Sequence, residues 1–338
     1  MTESKRANLA LQGGGAHGAF TWGVLDRLLK ETRLEIEGIS ATSAGAVNAV
    51  VLAHGLTVGG REGAIGALEN FWQRIATLAP WSALQASWFE QASRIYGLDR
   101  FPAYAFFDLL HRMLSPYQLN PFNYNPLKSL LEEVVDFELL RRQSAIKLFL
   151  CATNVRTGKL RVFTHEEIGA THVLASACLP LFSQAVEVDG DYFWDGGYMG
   201  NPALFPLIYG CKSHDIIVVH INPAERSEIP KTGPEIMNRI NEISFNSSLL
   251  REMRAIAFVT RLIDDDKIDA GGLKRMLIHA IAADDAMQAL GPTSQLNADR
   301  AFLTRLHDIG HERADRWLHA HFDRLGVEST VDIDAKYL

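Results

Sequence analysis

One serine in the chain has the neighbours that an exposed nucleophile requires. Ser43 lies in Ala41-Thr42-Ser43-Ala44-Gly45, with small residues two positions to either side. A serine on a sharp strand-to-helix turn is forced into unusual backbone angles, and a bulky neighbour at either of those positions clashes. The usual spacing is G-x-S-x-G; here Ala41 occupies the first glycine position and Gly45 the second. By itself such a string more often packs a helix against a sheet.

A second string, Gly13-Gly14-Gly15-Ala16-His17-Gly18, carries the spacing G-x-G-x-x-G through Gly13, Gly15 and Gly18. Two readings compete. A dinucleotide site adds an acidic residue at the tip of the second strand to bind a ribose. Here that tip reads Ala41-Thr42-Ser43, while Glu35 and Glu37 lie at the strand's start. A Walker A loop is excluded because no Gly-Lys-Ser/Thr follows. The other reading is an oxyanion site. Glycine N–H groups at a helix start approach an anion without a side chain in the way. If Ser43 attacks an ester, the guest is the tetrahedral oxygen, and Gly14 and Gly15 are the leading donors.

A serine hydroxyl needs a proton acceptor. There are 12 histidines, so a Ser-His-Asp triad stays open by count. His17 lies in the glycine loop, His220 reads as a strand residue, and His307 and His311 stand four apart on a helix. The string around that pair, H-D-I-G-H-E, is not a zinc-protease motif, and a solvated helix face explains it better. Asp195, in Tyr192-Phe193-Trp194-Asp195-Gly196-Gly197, is the better candidate. It ends an aromatic strand beside a flexible turn. Desolvation there raises a carboxyl pKa and suits it to accept a proton. An ordinary Asp-Gly turn is the plainer alternative.

These residues need strands to hold them. Ala7 to Gln12 and Ile36 to Ala41 read as short buried strands, each followed by a helix (Ala16 to Lys30, Ala44 to Ala53). Two strand–turn–helix units begin a mainly parallel α/β sheet. Ile146 to Val155, Leu160 to Phe163, Asp215 to Ile221 and Arg275 to Ile281 read as further strands, and Val186 to Trp194 as a hairpin turning at Asp189-Gly190. Aromatic residues crowd Phe71 to Tyr124, broken by Pro80, Pro102, Pro116, Pro121 and Pro126, which reads as an inserted cap over 71–126. Glu166 to Ala177, Ile236 to Ile263 and Asn297 to Leu325 read as helices.

The net charge of −7 over 338 residues argues against nucleic acid as the main partner. Cys151, Cys178 and Cys211 form no C-x-x-C or disulfide framework, which favours a reducing compartment. The start of the chain shows no signal-like apolar stretch, and no run of about 18 apolar residues points to a membrane span. The expected location is cytoplasmic, with peripheral membrane contact allowed.

Taken together, the glycine loop, the Ser43 elbow and Asp195-Gly196-Gly197 resemble the patatin-like phospholipase family, in order and spacing. The stretch from Ala175 to Gly197, with Pro180 and Phe182, resembles the family's approach to its aspartate. The resemblance covers residues 7–222. It implies a three-layer α/β/α sandwich with a mainly parallel central sheet, here with an aromatic-rich helical insertion and a helical C-terminal region over 223–338. It implies a Ser–Asp dyad: Ser43 as nucleophile and Asp195 as general base, for the serine and then for the deacylating water. Gly13, Gly14, Gly15, Ala16 and Gly18 would form the oxyanion loop, Ala41 and Gly45 the elbow, and Gly196 and Gly197 the turn supporting the dyad. The substrate would be a phospholipid, lysophospholipid or other acyl ester, with no cofactor or metal. His17 stands where the family often has Arg or Lys. The alternatives are a nucleotide-binding oxidoreductase and a catalytically idle lipid-binding protein.

Overall fold

The computed structural model describes residues 4–82, 114–226, 228–266 and 273–338. Its centre is a sheet in the order β5-β6-β3-β2-β1-β7-β8, with β4 on the outer edge of β3. The parallel strands are β1 (Lys5–Leu11), β2 (Leu34–Ala41), β3 (Lys147–Asn154), β7 (Asp215–Val219) and β8 (Leu277–Ile281). β4 (Leu160–Thr164) and β6 (Asp191–Asp195) run antiparallel to β3, and β5 (Val186–Val188) runs antiparallel to β6.

Side chains alternate across the sheet and build a core on each face. Leu9 and Leu11 of β1, with Ile217 and Val219 of β7, enter one core; Ala10, Ile216 and Val218 enter the other. The first face carries α1 (Gly18–Lys30), α2 (Ala44–Ser82), α3 (Pro126–Val134), α4 (Phe137–Gln143) and α5 (Ala170–Ser176). The second carries α6 (Phe205–Gly210) and α7 (Gly233–Asp264). The result is an α/β/α sandwich. α8 (Arg300–His321) lies against α1, where Gly23 and Gly310 let the backbones meet. A Cβ on Gly23 would come 1.9 Å from the His307 carbonyl, and one on Gly310 would come 2.0 Å from that of Phe20. α9 (Ile333–Tyr337) closes the chain against α7.

Several elements differ from the sequence reading. Helical structure after Ser43 continues to Ser82 as two helices joined at Gly59-Gly60, where the backbone leaves the helical range and Gly60 has a positive φ of 63°. Phe71 and Trp72, read as the start of the cap, are core residues, with Trp72 stacked on Trp22. Residues 83–113 of that segment lie outside the described residues, while Phe122 and Tyr124 beyond them are exposed. The helix expected from Glu166 spans only Ala170–Ser176. The hairpin turns at Asp189-Gly190, both with positive φ, as its sequence requires. The strand read over Arg275 to Ile281 is β8, Leu277–Ile281, so the region after 222 joins the sheet as well as supplying helices.

Candidate active site

The register of β3 brings the site together. β2 runs parallel along one edge of β3 and stops where Ala41 faces Leu150. β6 runs antiparallel and stops where Asp195 faces Ala152. β4 spans Phe149 to Thr153 of the same strand, so it must take the opposite edge. β2 and β6 therefore share one edge and end toward each other across a gap of one residue, Cys151. The turn beyond β2 presents Ser43, and the last residue of β6 presents the Asp195 side chain.

Ser43 has φ of 55°, in the left-handed region. For a residue other than glycine that conformation is strained and persists only where its surroundings hold it. They do so here. The Ser43 N–H donates to Ser176 Oγ at 3.0 Å. The Thr42 hydroxyl donates to the Gly200 carbonyl at 2.6 Å, and the Ser40 hydroxyl to that of Ala203 at 2.5 Å. Gly45 has a steric reason to be small. A Cβ on Gly45 would lie 2.4 Å from the Leu11 carbonyl oxygen, so the helix start passes directly over β1. Ala41 is fully buried at the end of β2, between Leu11 and Leu150 in register, and its methyl group is accommodated without removing the elbow.

Asp195 is fully buried. Its Oδ1 accepts from the Gly197 N–H at 2.7 Å, and its Oδ2 has no hydrogen-bond partner. Burial pushes its pKa up to about 6; the Gly197 amide and the nearby Ser43 hydroxyl hold it lower than burial alone would. Ser43 is thus near enough to act on the carboxylate, yet no well-formed bond satisfies Oδ2. Loose contact of this kind is ordinary for a nucleophile and base before substrate binds. Gly196 and Gly197 are required for room. A Cβ on Gly196 would meet the Cys151 carbonyl at 2.1 Å; one on Gly197 would meet the Phe245 ring at 2.9 Å.

The glycine loop lies across Ser43. A Cβ on Gly13 would come 2.5 Å from that of Ser43. Two loop positions read as oxyanion donors have other roles. The Gly13 N–H already donates to Asn201 Oδ1 at 2.7 Å, and the Gly18 N–H turns back to the carbonyls of Gly15 and Ala16. Gly18 instead lets α1 meet α2, since a Cβ there would lie 2.7 Å from that of Ala44. Among the described residues, the N–H groups of Gly14, Gly15 and Ala16 have no such engagement. The same facts weaken a phosphate cradle, because the first glycine amide is taken.

A polar network beneath the loop went unread in the sequence. Gln12 Oε1 accepts from the N–H groups of Ile221 and Asn222, and Gln12 Nε2 donates to Asn246 Oδ1. The Asn222 amide donates to the Gly13 carbonyl at 2.7 Å. Asn201 is fully buried and its Nδ2 has no partner. Its orientation is fixed because the Gly13 N–H needs an acceptor. The signal was available for Asn201, which follows the Asp195 turn in Met199-Gly200-Asn201-Pro202; nothing local marks Ser176 or Asn246.

Each of the four histidines considered in the sequence is engaged with a partner other than Ser43. His17 bonds to Ser294, and His220 bonds to the Tyr337 hydroxyl. Nε2 of His307 and of His311 stand 3.5 and 3.7 Å from Asp26 Oδ2, which also binds Lys30. That cluster is an ionic seam between α1 and α8.

Residues 9–208, more than half of the sequence, match the family model described as patatin-like phospholipase. The chain belongs to the patatin-like phospholipase family. Membership carries lipid ester hydrolysis as the general activity. No curated protein matches the sequence. Among solved structures, VipD from Legionella pneumophila is similar, with a TM-score of 0.45 and 14% identity over 98% of this chain and 73% of that one. A second is from the ExoU-SpcU complex of the type III secretion system of Pseudomonas aeruginosa, with a TM-score of 0.33 and 16% identity. That match covers 96% of this chain and 53% of the other, so the patatin-like chain spans about half its length. No helix among the described residues is long and apolar enough to cross a membrane.

Proposed function

We propose that the chain hydrolyses carboxylic esters of lipids through an acyl-enzyme on Ser43, with Asp195 as the general base. The observation that carries this reading is the meeting of the Ser43 elbow and a buried, half-satisfied Asp195 carboxylate at one gap along β3.

In the first half-reaction the Ser43 hydroxyl passes its proton to Asp195 Oδ2 as its oxygen adds to the ester carbonyl carbon. The carbonyl oxygen becomes an oxyanion facing the free amides of the glycine loop, foremost Gly14 and Gly15. One such donor is worth about 3 kcal/mol of barrier. The tetrahedral species collapses, the C–O bond to the alcohol breaks, and the leaving oxygen takes the proton from Asp195. In the second half, water gives a proton to Asp195 and adds to the acyl carbon. The carboxylic acid leaves and the proton returns to Ser43 Oγ. A pKa near 6 suits a group that must accept and release a proton in each half.

The substrate reading adds phospholipids, lysophospholipids and simpler acyl esters, taken from a lipid surface. It is supported by exposed apolar side chains on segments that also support the dyad. Leu181 and Phe182 stand exposed in the approach to Asp195. On α7, Ile236, Ile240 and Ile243 lie exposed at helical spacing, while Phe245 on the same helix packs against Gly197. The test is fatty-acid release from phosphatidylcholine, lysophosphatidylcholine and p-nitrophenyl esters by the purified chain. Release from any of them is the expected result; inertness toward all three classes overturns the proposal.

A further inference from the structure

The glycine loop is gripped from below by Asn201 and Asn222, and also from above. The upper contact comes from the turn Pro292–Leu296, well outside the matched residues 9–208. The carbonyl of Gln295 sits over Gly15, where a Cβ would come within 2.4 Å of it; Gly15 also has φ of +58°. His17 Nε2 lies 2.8 Å from Ser294 Oγ, and the Ser294 hydroxyl donates to the Gly291 carbonyl at 2.6 Å. A hydroxyl has one proton and a carbonyl only accepts, so the His17 ring must donate its Nε2–H to Ser294. Phe302 of α8 flanks the same ring, with centroids 6.3 Å apart.

Three consecutive glycines are the most freely moving backbone a chain can have. An oxyanion site works only if its amides are already aimed when charge develops. Something must therefore immobilise the loop on its open side. A buried lysine or arginine would carry a charge into the site. Neutral His17 does not: burial lowers its pKa to about 4, so it is uncharged across the working range.

We infer that the turn Pro292–Leu296 is a positioning element of the oxyanion loop, with Ser294 acting on Gly14 and Gly15 through His17. This rests on the hydrolase reading above. The catalytic apparatus of this chain then extends past its family-matched region, and α8, packed on α1, carries the brace into place.

The test uses the full chain with p-nitrophenyl butyrate. Active sites are counted by titration with a fluorophosphonate, so that misfolded protein does not enter kcat. Ser294→Ala is expected to lower kcat per titrated site about three- to tenfold, as loss of one hydrogen bond's worth of alignment. KM should stay within about twofold. A trifluoromethyl ketone, which forms a tetrahedral oxyanion on the serine, should bind more weakly by the same factor. Ser294→Thr, which keeps the hydroxyl, should restore most of both. A folded Ser294→Ala protein with unchanged kcat and unchanged ketone affinity overturns the brace while leaving the hydrolase reading intact. A wild-type chain that neither titrates nor turns over overturns both.

Discussion

Ala41 and Asp195 stand end to end along one edge of β3, the first facing Leu150 and the second Ala152. The Ser43 elbow grows from one strand end and the Asp195 carboxylate hangs from the other. In the proposed mechanism the pairing of Ser43 with Asp195 is therefore set first by backbone register.

As the proposed base, Asp195 would give the reaction its pH dependence. The base must be ionised to take the serine proton, and its pKa lies at about 6. The expected kcat/KM profile rises with pH through about 6 and is flat above it until the enzyme unfolds. A profile falling through that range would place the proton acceptor elsewhere.

The same shift sets a stability cost. The folded-state pKa of Asp195 lies above its ordinary 3.8, so the folded protein holds that proton more tightly than the unfolded chain. Stability from this group is complete below about pH 4 and is lost as pH rises toward and through about 6, on the order of 3 kcal/mol in all. Asp195→Asn should accordingly melt higher than wild type at pH 8, with the gap closing at pH 4.5, while esterase activity collapses. Differential scanning fluorimetry at the two pH values checks this; an equal or lower melting temperature at pH 8 would count against a buried ionised base.

Gly196 is the tightest point of the dyad turn. A methyl group there would meet the Cys151 backbone at 2.1 Å, and backbone does not yield as a side chain does. Gly196→Ala should destabilise by about 2 kcal/mol or more and displace Asp195. Denaturant melts together with esterase assays measure both effects, and near wild-type behaviour would contradict the placement of the turn.

Asn201 should prove nearly as important as the loop it holds. Asn201→Ala leaves the Gly13 N–H buried without an acceptor, at about 1–3 kcal/mol. Lower stability is expected together with reduced kcat. Unchanged values for both would show that the loop stays in place without it.

Ala41 departs from the usual glycine at a position where the structure shows no need for one. Ala41→Gly should bring no gain in kcat and should cost about 0.5–1 kcal/mol of stability through the freer unfolded backbone. A large rise in kcat would mean that the alanine holds the elbow away from its working shape.

Much of this was legible in the sequence, for local reasons. The elbow announces itself because Ala41 and Gly45 must be small, and the hairpin because Asp189 and Gly190 must adopt positive φ. The glycine loop was legible as a loop but not donor by donor. Gly13 and Gly18 look like their neighbours in the string, and only long-range partners reveal that their amides are taken. Asn201, Ser176 and Ser294 act across distances in sequence that no spacing rule spans. Phe71 and Trp72 read as cap but are core, because aromatic density marks a core as readily as a lid. The meeting of β2 and β6 on β3 depends on register among three strands, which alternation of side chains does not specify.

The most direct test of the Ser43–Asp195 account is covalent trapping. The chain is treated with a fluorophosphonate, weighed intact and mapped by peptide mass spectrometry. One adduct per chain on Ser43, absent in Ser43→Ala and much slowed in Asp195→Asn, is the predicted result. An active enzyme with the adduct on another residue, or turning over with Ser43 replaced, would contradict it.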